Sequence, residues 1–206
     1  RYEYAYLLES MEGPKKLAQY SFLGFDPRLT VRTKGIEMTL QNRESDEKVT
    51  MEIDDPLDIV ERIVGERECS YERLRFIGGA VGYISYDAVR YWERLSDIAV
   101  DDLDFPDVEM GIFDDGIMFD HSRGEVFYYY RDKNRFDELK NLMKKPADPE
   151  TLSFKSPKAN MEKSRYEESV RRAKEYVASG DIFQVVLSKR YEFDVKGDLA
   201  SFYLAL

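Results

Sequence analysis

The sequence contains little cysteine and little histidine: among 206 residues there is one cysteine, Cys69, and one histidine, His121. A single cysteine excludes an internal disulfide and a cysteine metal cluster, which agrees with a reducing compartment. A zinc site needs three or four ligands, and His121 lies in a turn pattern with no second histidine. A lone histidine also leaves no Ser-His-Asp or Cys-His arrangement to propose. We therefore predict an inert thiol at Cys69 and a surface position for His121.

Long apolar runs are also missing from the sequence. No uninterrupted stretch approaches the roughly 20 residues that a membrane-spanning helix needs, and the first residues lack a signal-peptide pattern. These absences predict a cytoplasmic protein with no membrane partner.

Positive charge is in deficit, because 31 Lys and Arg stand against 41 Asp and Glu, for a net charge of -10. Nucleic-acid binding depends on Lys and Arg that neutralise phosphates, so nucleic acid is not an expected partner. Hydrophobic residues make up 43% and aromatic residues 14% of the chain, which predicts a globular protein with a sizeable core.

Two further residue groups invite a binding interpretation and favour a structural one. Acidic pairs at 54–55, 101–102 and 114–115 could bind a hard cation, but adjacent side chains diverge on regular structure. Glycines at 78, 79 and 82 match neither the dinucleotide-binding nor the P-loop pattern. Close packing of backbones is the better interpretation of these glycines.

Alternating residues predict a strand-rich first half. Aromatic and apolar residues at 2, 4, 6 and 8 alternate with their neighbours, which indicates a half-buried strand. Further strands are predicted at 20–25, 29–33, 36–40 and 49–53, with a turn at Lys34-Gly35. Asp55 and Pro56 supply the N-cap and first-turn residues of a helix that ends near Gly65.

The pattern then changes along the chain. Residues 75–89 form a glycine-dense apolar strand pattern, which predicts a central position in a sheet. Residues 112–119 and 125–130 predict a hairpin joined through 120–124. A helix is predicted at 134–144, and the segment 145–157, rich in Pro, Ser and charge, predicts an interdomain linker.

The last part of the chain begins with a capping-box pattern, Ser164 and Glu167, for a helix that ends at Gly180. A strand is predicted at 181–193, with Gln184 on a mixed face that could line a polar pocket. Asp198 caps a final amphipathic run that no Gly, Asn or Pro closes, so we expect the chain to be cut there.

Three segments carry a more specific signal. They are Tyr6-Leu-Leu-Glu-Ser10 with Gly13 and Tyr20-Ser-Phe-Leu-Gly-Phe-Asp-Pro27, then Phe76-Ile-Gly-Gly-Ala-Val-Gly-Tyr-Ile-Ser-Tyr-Asp87, and last Ser179-Gly-Asp-Ile-Phe-Gln-Val-Val-Leu-Ser-Lys-Arg190. Together, in this order and spacing, they resemble component I, the large subunit, of anthranilate synthase, a chorismate-using enzyme of tryptophan biosynthesis.

The resemblance implies an α+β fold of the anthranilate-synthase type, with mainly antiparallel sheets flanked by helices, truncated before most of the chorismate-binding domain. It implies a regulatory domain at 1–158 and the incomplete start of the chorismate-binding, catalytic domain at 159–206. In the family, the Leu-Leu-Glu-Ser strand forms one wall of a feedback site for L-tryptophan. Leu8, Glu9 and Ser10 take that role here, and Gln19 stands where the family often carries a basic residue.

Gln184 is the residue that indicates the implied reaction type. Related isochorismate and salicylate synthases have a Lys at this position, which helps to activate water as the nucleophile. A neutral Gln suits ammonia, because an amide can orient a nucleophile but does not act as its general base. The neighbouring Val185-Val-Leu-Ser188 favours anthranilate synthase over aminodeoxychorismate synthase, which usually has Val-Asn-Leu-Ala there. The alternative for Gln184 is a polar strand residue that faces solvent.

By resemblance, the complete enzyme converts chorismate and ammonia to anthranilate and pyruvate and is inhibited by L-tryptophan. Mg²⁺ is the implied cofactor, held by glutamates expected after Leu206. A glutamine amidotransferase subunit, anthranilate synthase component II, is the implied source of ammonia. The chain alone is expected to be inactive. Two alternatives stay open: aminodeoxychorismate synthase component I and a free-standing amino-acid-binding regulatory module.

Overall fold

The computed structural model describes residues 3–10, 19–66, 69, 74, 76–96, 98–145 and 151–205. The chain divides into two compact units, Arg1–Met143 and Lys144–Leu206. Gly13 of the first motif and residues 146–150 of the predicted linker lie outside the described residues. None of the helices in the described ranges is long and apolar enough to cross a membrane.

The first unit consists mainly of antiparallel strands, as predicted. Its described strands are β1 (Ala5–Leu8), β2 (Tyr20–Phe25), β3 (Leu29–Lys34), β4 (Glu37–Asn42), β5 (Lys48–Glu52), β6 (Gly79–Ile84), β7 (Val108–Phe113), β8 (Asp115–Asp120) and β9 (Glu125–Tyr130). They form one sheet in the order β1-β2-β8-β9 and a second in the order β5-β4-β3-β7-β6. Helices α1 (Pro56–Val64) and α2 (Phe136–Met143) and a 3₁₀ helix (Tyr86–Tyr91) complete the unit.

The core of the five-stranded sheet lies beneath α1. Val31, Met38 and Ile112 are fully buried there and pack with Val60 of the helix. The predicted start of α1 is confirmed, because the Asp55 carboxylate accepts hydrogen bonds from the backbone N–H groups of Leu57 and Asp58 at 2.8 and 3.3 Å. Such a cap satisfies donors that the first helical turn leaves unpaired and stabilises a helix by about 1 kcal/mol.

Aromatic side chains connect the two sheets. The ring of Tyr6 on β1 packs edge-on against Phe113 on β7, with 4.8 Å between centroids, and against Phe76 at 6.3 Å. The Tyr6 and Tyr129 hydroxyls are 3.1 Å apart and share a hydrogen bond. Burial is the main reason why the pKa of Tyr6 is raised above its ordinary value. The alternation predicted for the first residues therefore places the Tyr6 side chain between the two sheets, where it contacts Phe113, Phe76 and Tyr129.

The segment predicted as one strand at 112–119 is in fact shared by two sheets. Residues up to Phe113 belong to β7 in the five-stranded sheet, and residues from Asp115 onward belong to β8 in the four-stranded sheet. Asp114 lies at the crossing, where its carboxylate forms an ion pair with Arg28 and its carbonyl oxygen accepts the Arg131 N–H. The predicted hairpin of β8 and β9 is confirmed.

The glycine-dense strand β6 lies at an edge of its described sheet, so the prediction of a central position is wrong. Its apolar residues are only partly covered, because Tyr83 and Ile84 are 38% and 47% exposed. Gly82 instead allows β6 to approach β7 closely: a Cβ atom there would lie 2.7 Å from the Cα of Met110. The prediction that Gly82 serves close backbone packing is confirmed.

The second unit contains α3 (Lys163–Ser179) and α4 (Leu199–Ala205), with two small antiparallel ladders. Strand β10 (Ser153–Phe154) pairs with β13 (Val195–Lys196), and β11 (Lys158–Ala159) pairs with β12 (Tyr191–Glu192). The predicted cap of α4 is confirmed, since the Asp198 carboxylate accepts from the Ala200 N–H.

Two predictions for this unit are wrong. Helix α3 begins one residue before Ser164, and its N-cap residue, Glu162, makes no side-chain capping hydrogen bond, so the capping box is not formed. Residues 181–190 are not a strand, because no strand of the described residues pairs with them, and an unpaired extended segment lacks the ladder that stabilises it. The predicted end of α3 at Gly180 is confirmed, with φ +83°.

The division into units does not test the predicted domain boundary. The division into compact units falls between residues 143 and 144, so residues 153–154 and 158–159 already pair with strands of the second unit. The functional boundary between residues 158 and 159 stays a prediction.

Candidate functional site

The end of β1 brings together the three residues predicted to bind an amino acid. Leu8 is the last residue of the strand and lies opposite Phe22 of β2. Leu8 is 48% exposed, Glu9 is exposed and Ser10 is half-buried. The Ser10 N–H donates to Ser21 Oγ at 3.4 Å. Leu8, Glu9 and Ser10 thus bring an accessible apolar side chain, a carboxylate and a hydroxyl to the end of β1.

Aromatic rings continue the surface next to Leu8. Phe22 contacts the ring of Tyr20 at 6.3 Å between centroids and that of Phe76 at 5.5 Å. Both Tyr20 and Phe22 are half-buried. A carboxylate can hold an ammonium group, and aromatic faces can cover an apolar side chain. The β1 end thus has the chemistry for an amino acid with a large apolar side chain.

His121 contributes to this region in a way that its turn position did not reveal. Its side chain is exposed as predicted, yet its Nε2 lies 2.6 Å from the Oγ of buried Ser21. The His121 N–H also donates to the Gln19 carbonyl at 2.9 Å. The only sequence signal was position, because Ser21 is near the start of one predicted strand and His121 follows the end of another. Pairing of β2 with β8, which brings them together, was not predicted.

Ser21 and His121 do not form a catalytic triad. The Asp120 carboxylate, the neighbouring acid, accepts hydrogen bonds from the Ser122 hydroxyl at 2.6 Å and from the Ser122 and Arg123 N–H groups. The Ser122 hydroxyl is the main cause that lowers the pKa of Asp120. Ser21 is only 2% exposed, so a substrate cannot reach its hydroxyl. This pair is positioned to support structure.

Gln184 lies in the second unit, on the wall of a groove of about 550 Å³. One side of the groove is formed by α3 through Val170, Ala173, Lys174 and Val177, and the other by the irregular segment 183–187. Gln184 is exposed, and so is Lys174. The Tyr166 hydroxyl donates to the Leu187 carbonyl at 3.5 Å and joins the two sides. The structure therefore places Gln184 in a mainly apolar groove, although not on a strand.

The acidic pairs have structural partners. Asp55 accepts from Trp92 Nε1 at 2.8 Å, and this bond is the main cause that lowers its pKa. Lys34 bonds Asp101 at 2.5 Å and likewise lowers its pKa. In the part of the chain that the structure describes, no group of three or more His, Cys, Asp or Glu could hold a metal ion. The described residues therefore do not supply a Mg²⁺ site.

A cluster of largely buried charges in the first unit surrounds Arg135. Its Nε and Nη2 donate to the Asp115 carboxylate at 2.9 and 2.5 Å, and Nη2 also donates to the Phe25 carbonyl. Asp115 accepts the Tyr128 hydroxyl at 2.7 Å as well. Burial, and next this bond to Asp115, raise the pKa of Tyr128 to about 12. The charges of Arg135 and Asp115 neutralise each other, and both groups make hydrogen bonds. We therefore interpret the cluster as a source of stability.

Comparisons with known proteins find relatives over nearly the whole chain. Residues 3–206 match the model of a family described as chorismate binding enzyme. The chain is 37% identical over 205 residues to anthranilate synthase component 1 of Methanothermobacter marburgensis, covering 100% of this chain and 43% of that protein. It is 32% identical to aminodeoxychorismate synthase component 1 of Escherichia coli, covering 98% of this chain and 45% of that protein. The chain thus spans less than half the length of these relatives.

A solved structure shares the fold. The crystal structure of anthranilate synthase component I from Streptococcus pneumoniae superposes with a TM-score of 0.71 at 22% identity. The match covers 95% of this chain and 45% of that one. The predicted α+β fold with mainly antiparallel sheets is thereby confirmed.

Proposed function

Because the chain belongs to the chorismate-binding enzyme family, we propose that the complete gene product is an anthranilate synthase component I of tryptophan biosynthesis. It converts chorismate and ammonia to anthranilate, pyruvate and water. The observation that carries this proposal is the 37% identity that extends over the whole chain to an anthranilate synthase component 1. The proposal includes a cytoplasmic location and a glutamine amidotransferase subunit that supplies the ammonia.

In this proposal Gln184 contacts the nucleophile. An amide can accept a hydrogen bond from ammonia and donate one to an acceptor on the substrate, but it does not remove a proton as a general base. In the complete protein, exclusion of water from the groove around Gln184 would strengthen such a hydrogen bond. The proposal for the complete protein also includes Mg²⁺ as its cofactor.

Product identity tests the proposal. The complete gene product, given chorismate, ammonia and Mg²⁺, should release fluorescent anthranilate and an equal amount of pyruvate. Liquid chromatography with mass spectrometry would identify both products. Formation of an amino product that keeps the enolpyruvyl group, with no pyruvate released, would overturn it.

Aminodeoxychorismate synthase is the second candidate, favoured by the 32% identity over 98% of the chain. The same assay separates the two, because that activity replaces a hydroxyl of chorismate by an amino group and leaves the side chain in place. The sequence at 185–188 supports the first candidate, as it lacks the Asn that the second usually carries.

Replacement of Gln184 by Lys should lower ammonia-dependent turnover of the complete gene product by about tenfold or more, the loss expected when one hydrogen bond to a reacting group is removed. Gln184→Met is the matched variant, since it keeps the length of the side chain and removes only the amide. Initial rates at saturating chorismate and increasing ammonia would be measured. Turnover equal to wild type in both variants would remove Gln184 from the active site.

We further propose that L-tryptophan binds at Leu8, Glu9 and Ser10 and inhibits the enzyme. Ser10→Phe should raise the tryptophan concentration for half-inhibition by about fivefold to a hundredfold, because an overpacked site costs about 1–3 kcal/mol. Ser45→Phe, in the turn between β4 and β5, is the matched control and should leave the inhibition curve unchanged. An unchanged curve for Ser10→Phe would exclude Ser10 from the site.

A further inference from the structure

Ser10 lies beyond the region that the sheet itself holds in place. The β1–β2 ladder pairs residues from Ala5 with Phe25 to Leu8 with Phe22, and it ends there. Beyond it, the Ser10 N–H donates to a side-chain oxygen, Ser21 Oγ, at 3.4 Å. The direction of the Ser21 hydroxyl therefore contributes to the position of Ser10.

The Ser21 hydroxyl is in turn held by His121. Ser21 projects from β2 and is buried, so its rotamer is fixed by its neighbours instead of by solvent. The 2.6 Å bond to His121 Nε2 is shorter than the 3.4 Å bond that Oγ accepts from the Ser10 N–H. A hydroxyl has two lone pairs and one hydrogen, so Oγ can accept from Ser10 and bond His121 whichever tautomer the ring adopts.

The turn that carries His121 is itself anchored on both sides. The His121 N–H donates to Gln19 O at 2.9 Å, which extends the β2–β8 ladder by one residue. The Gln19 amide donates to Ser122 Oγ at 3.2 Å. A rigid turn can hold the imidazole in one place, and side chains that position a site act only when they are held in this way.

We propose that His121 is a positioning residue for the tryptophan site, acting through Ser21 to fix Ser10. The inference rests on the proposed inhibition by tryptophan and adds to it a residue more than 100 positions away in sequence. Without His121 Nε2, the Ser21 hydroxyl can rotate, the Ser10 N–H loses its fixed acceptor, and the site must be ordered when the ligand binds.

Two amide variants test the proposal, because they place a nitrogen at different distances from Cβ of residue 121. His121→Gln carries a nitrogen the same number of bonds from Cβ as the imidazole Nε2, whereas the amide of His121→Asn is one bond shorter. Half-inhibition by L-tryptophan would be measured on the complete gene product, with each curve normalised to that variant's own uninhibited rate. We expect His121→Asn to raise the half-inhibiting concentration about threefold to tenfold, the effect of one net hydrogen bond, and His121→Gln to restore most of it.

Ser21→Ala provides a second variant, which removes the hydroxyl and leaves the turn intact. It should weaken inhibition as much as His121→Asn does, and the double variant should be no weaker than either, since both remove the same connection. Thr39→Ala, which breaks the exposed Thr39–Thr50 hydroxyl pair in the other sheet, is the control and should leave inhibition unchanged.

The outcomes separate this inference from the proposed regulation. If tryptophan does not inhibit the wild-type protein, both are overturned. If tryptophan inhibits and Ser10→Phe relieves it, but His121→Asn and Ser21→Ala behave as wild type, only the role of His121 is overturned. An equal rise of the half-inhibiting concentration in His121→Gln and His121→Asn would also overturn it, because the position of the side-chain nitrogen would then have no effect.

Discussion

The 206-residue chain, mixed with chorismate, ammonia and Mg²⁺, should form no anthranilate above the level of a buffer control. Its groove around Gln184 is lined by α3, which has no buried residues, and by an irregular exposed segment. Enzymes stabilise developing charge with fixed groups in a water-excluded site, and removal of even one such group costs about a hundredfold or more. An exposed groove without a metal-binding group among the described residues provides neither condition.

The measurement is the fluorescence of anthranilate over several hours at high protein concentration, with circular dichroism to verify that the chain is folded. The longer relative from Methanothermobacter marburgensis, assayed in parallel, would show that the method detects turnover. Sustained, protein-dependent release of anthranilate would contradict the prediction.

Calorimetry with L-tryptophan on the same sample addresses the regulatory-module alternative, since saturable binding by this chain alone would favour it.

Local patterns predicted elements well where the determining contacts are also local. Helix α1 was predicted at both ends, because Asp55 and Gly65 act on backbone groups within one turn. The hairpin of β8 and β9 was predicted for the same reason, as its turn residues and both strands are contiguous. Long-range pairing left a weaker signal. Asp114-Asp115-Gly116 interrupts the apolar pattern of residues 112–119, but nothing in that pattern shows that the residues on either side belong to different sheets.

The strand predicted at 181–193 shows the limit of periodicity. Alternation describes which side chains could share a face, but a strand also needs a neighbour that satisfies its backbone groups. Among the described strands none pairs with residues 181–190. Gln184 lines a groove without that strand, but the groove is mainly apolar and is not the polar pocket that the alternation suggested. A role of Gln184 in the active site stays a prediction.

The amino-acid site was predictable in part. Leu8, Glu9 and Ser10 were named through the resemblance, because their residue types alone also fit an ordinary strand end. Ser21 and His121 were missed as partners, since 100 residues separate them and only the pairing of β2 with β8 brings them together. A lone histidine in a turn is usually a surface residue, and this one is exposed as well as bonded.

Replacement of Arg135 by Met should lower the free energy of unfolding of the first unit by about 3–5 kcal/mol. The Asp115 side chain is only 7% exposed, so loss of the guanidinium leaves a buried carboxylate whose remaining side-chain partner among the described residues is the Tyr128 hydroxyl. The methylene stem of the residue is largely retained in Met, so lost packing contributes little. Urea denaturation would be followed through the fluorescence of the single tryptophan, Trp92, which lies in this unit.

Arg62→Met is the matched control, because it removes the same group from an exposed ion pair with Asp58 on α1 and should cost less than about 1 kcal/mol. The double variant Arg135→Met with Asp115→Asn should recover much of the loss, since the buried carboxylate charge is then gone while an oxygen remains to accept the Tyr128 hydroxyl. A loss no larger in Arg135→Met than in Arg62→Met would show that the cluster is not a major source of stability. Failure of the double variant to recover would instead assign the loss to the bonds of Arg135 with the Phe25 carbonyl and the Asp26 carboxylate.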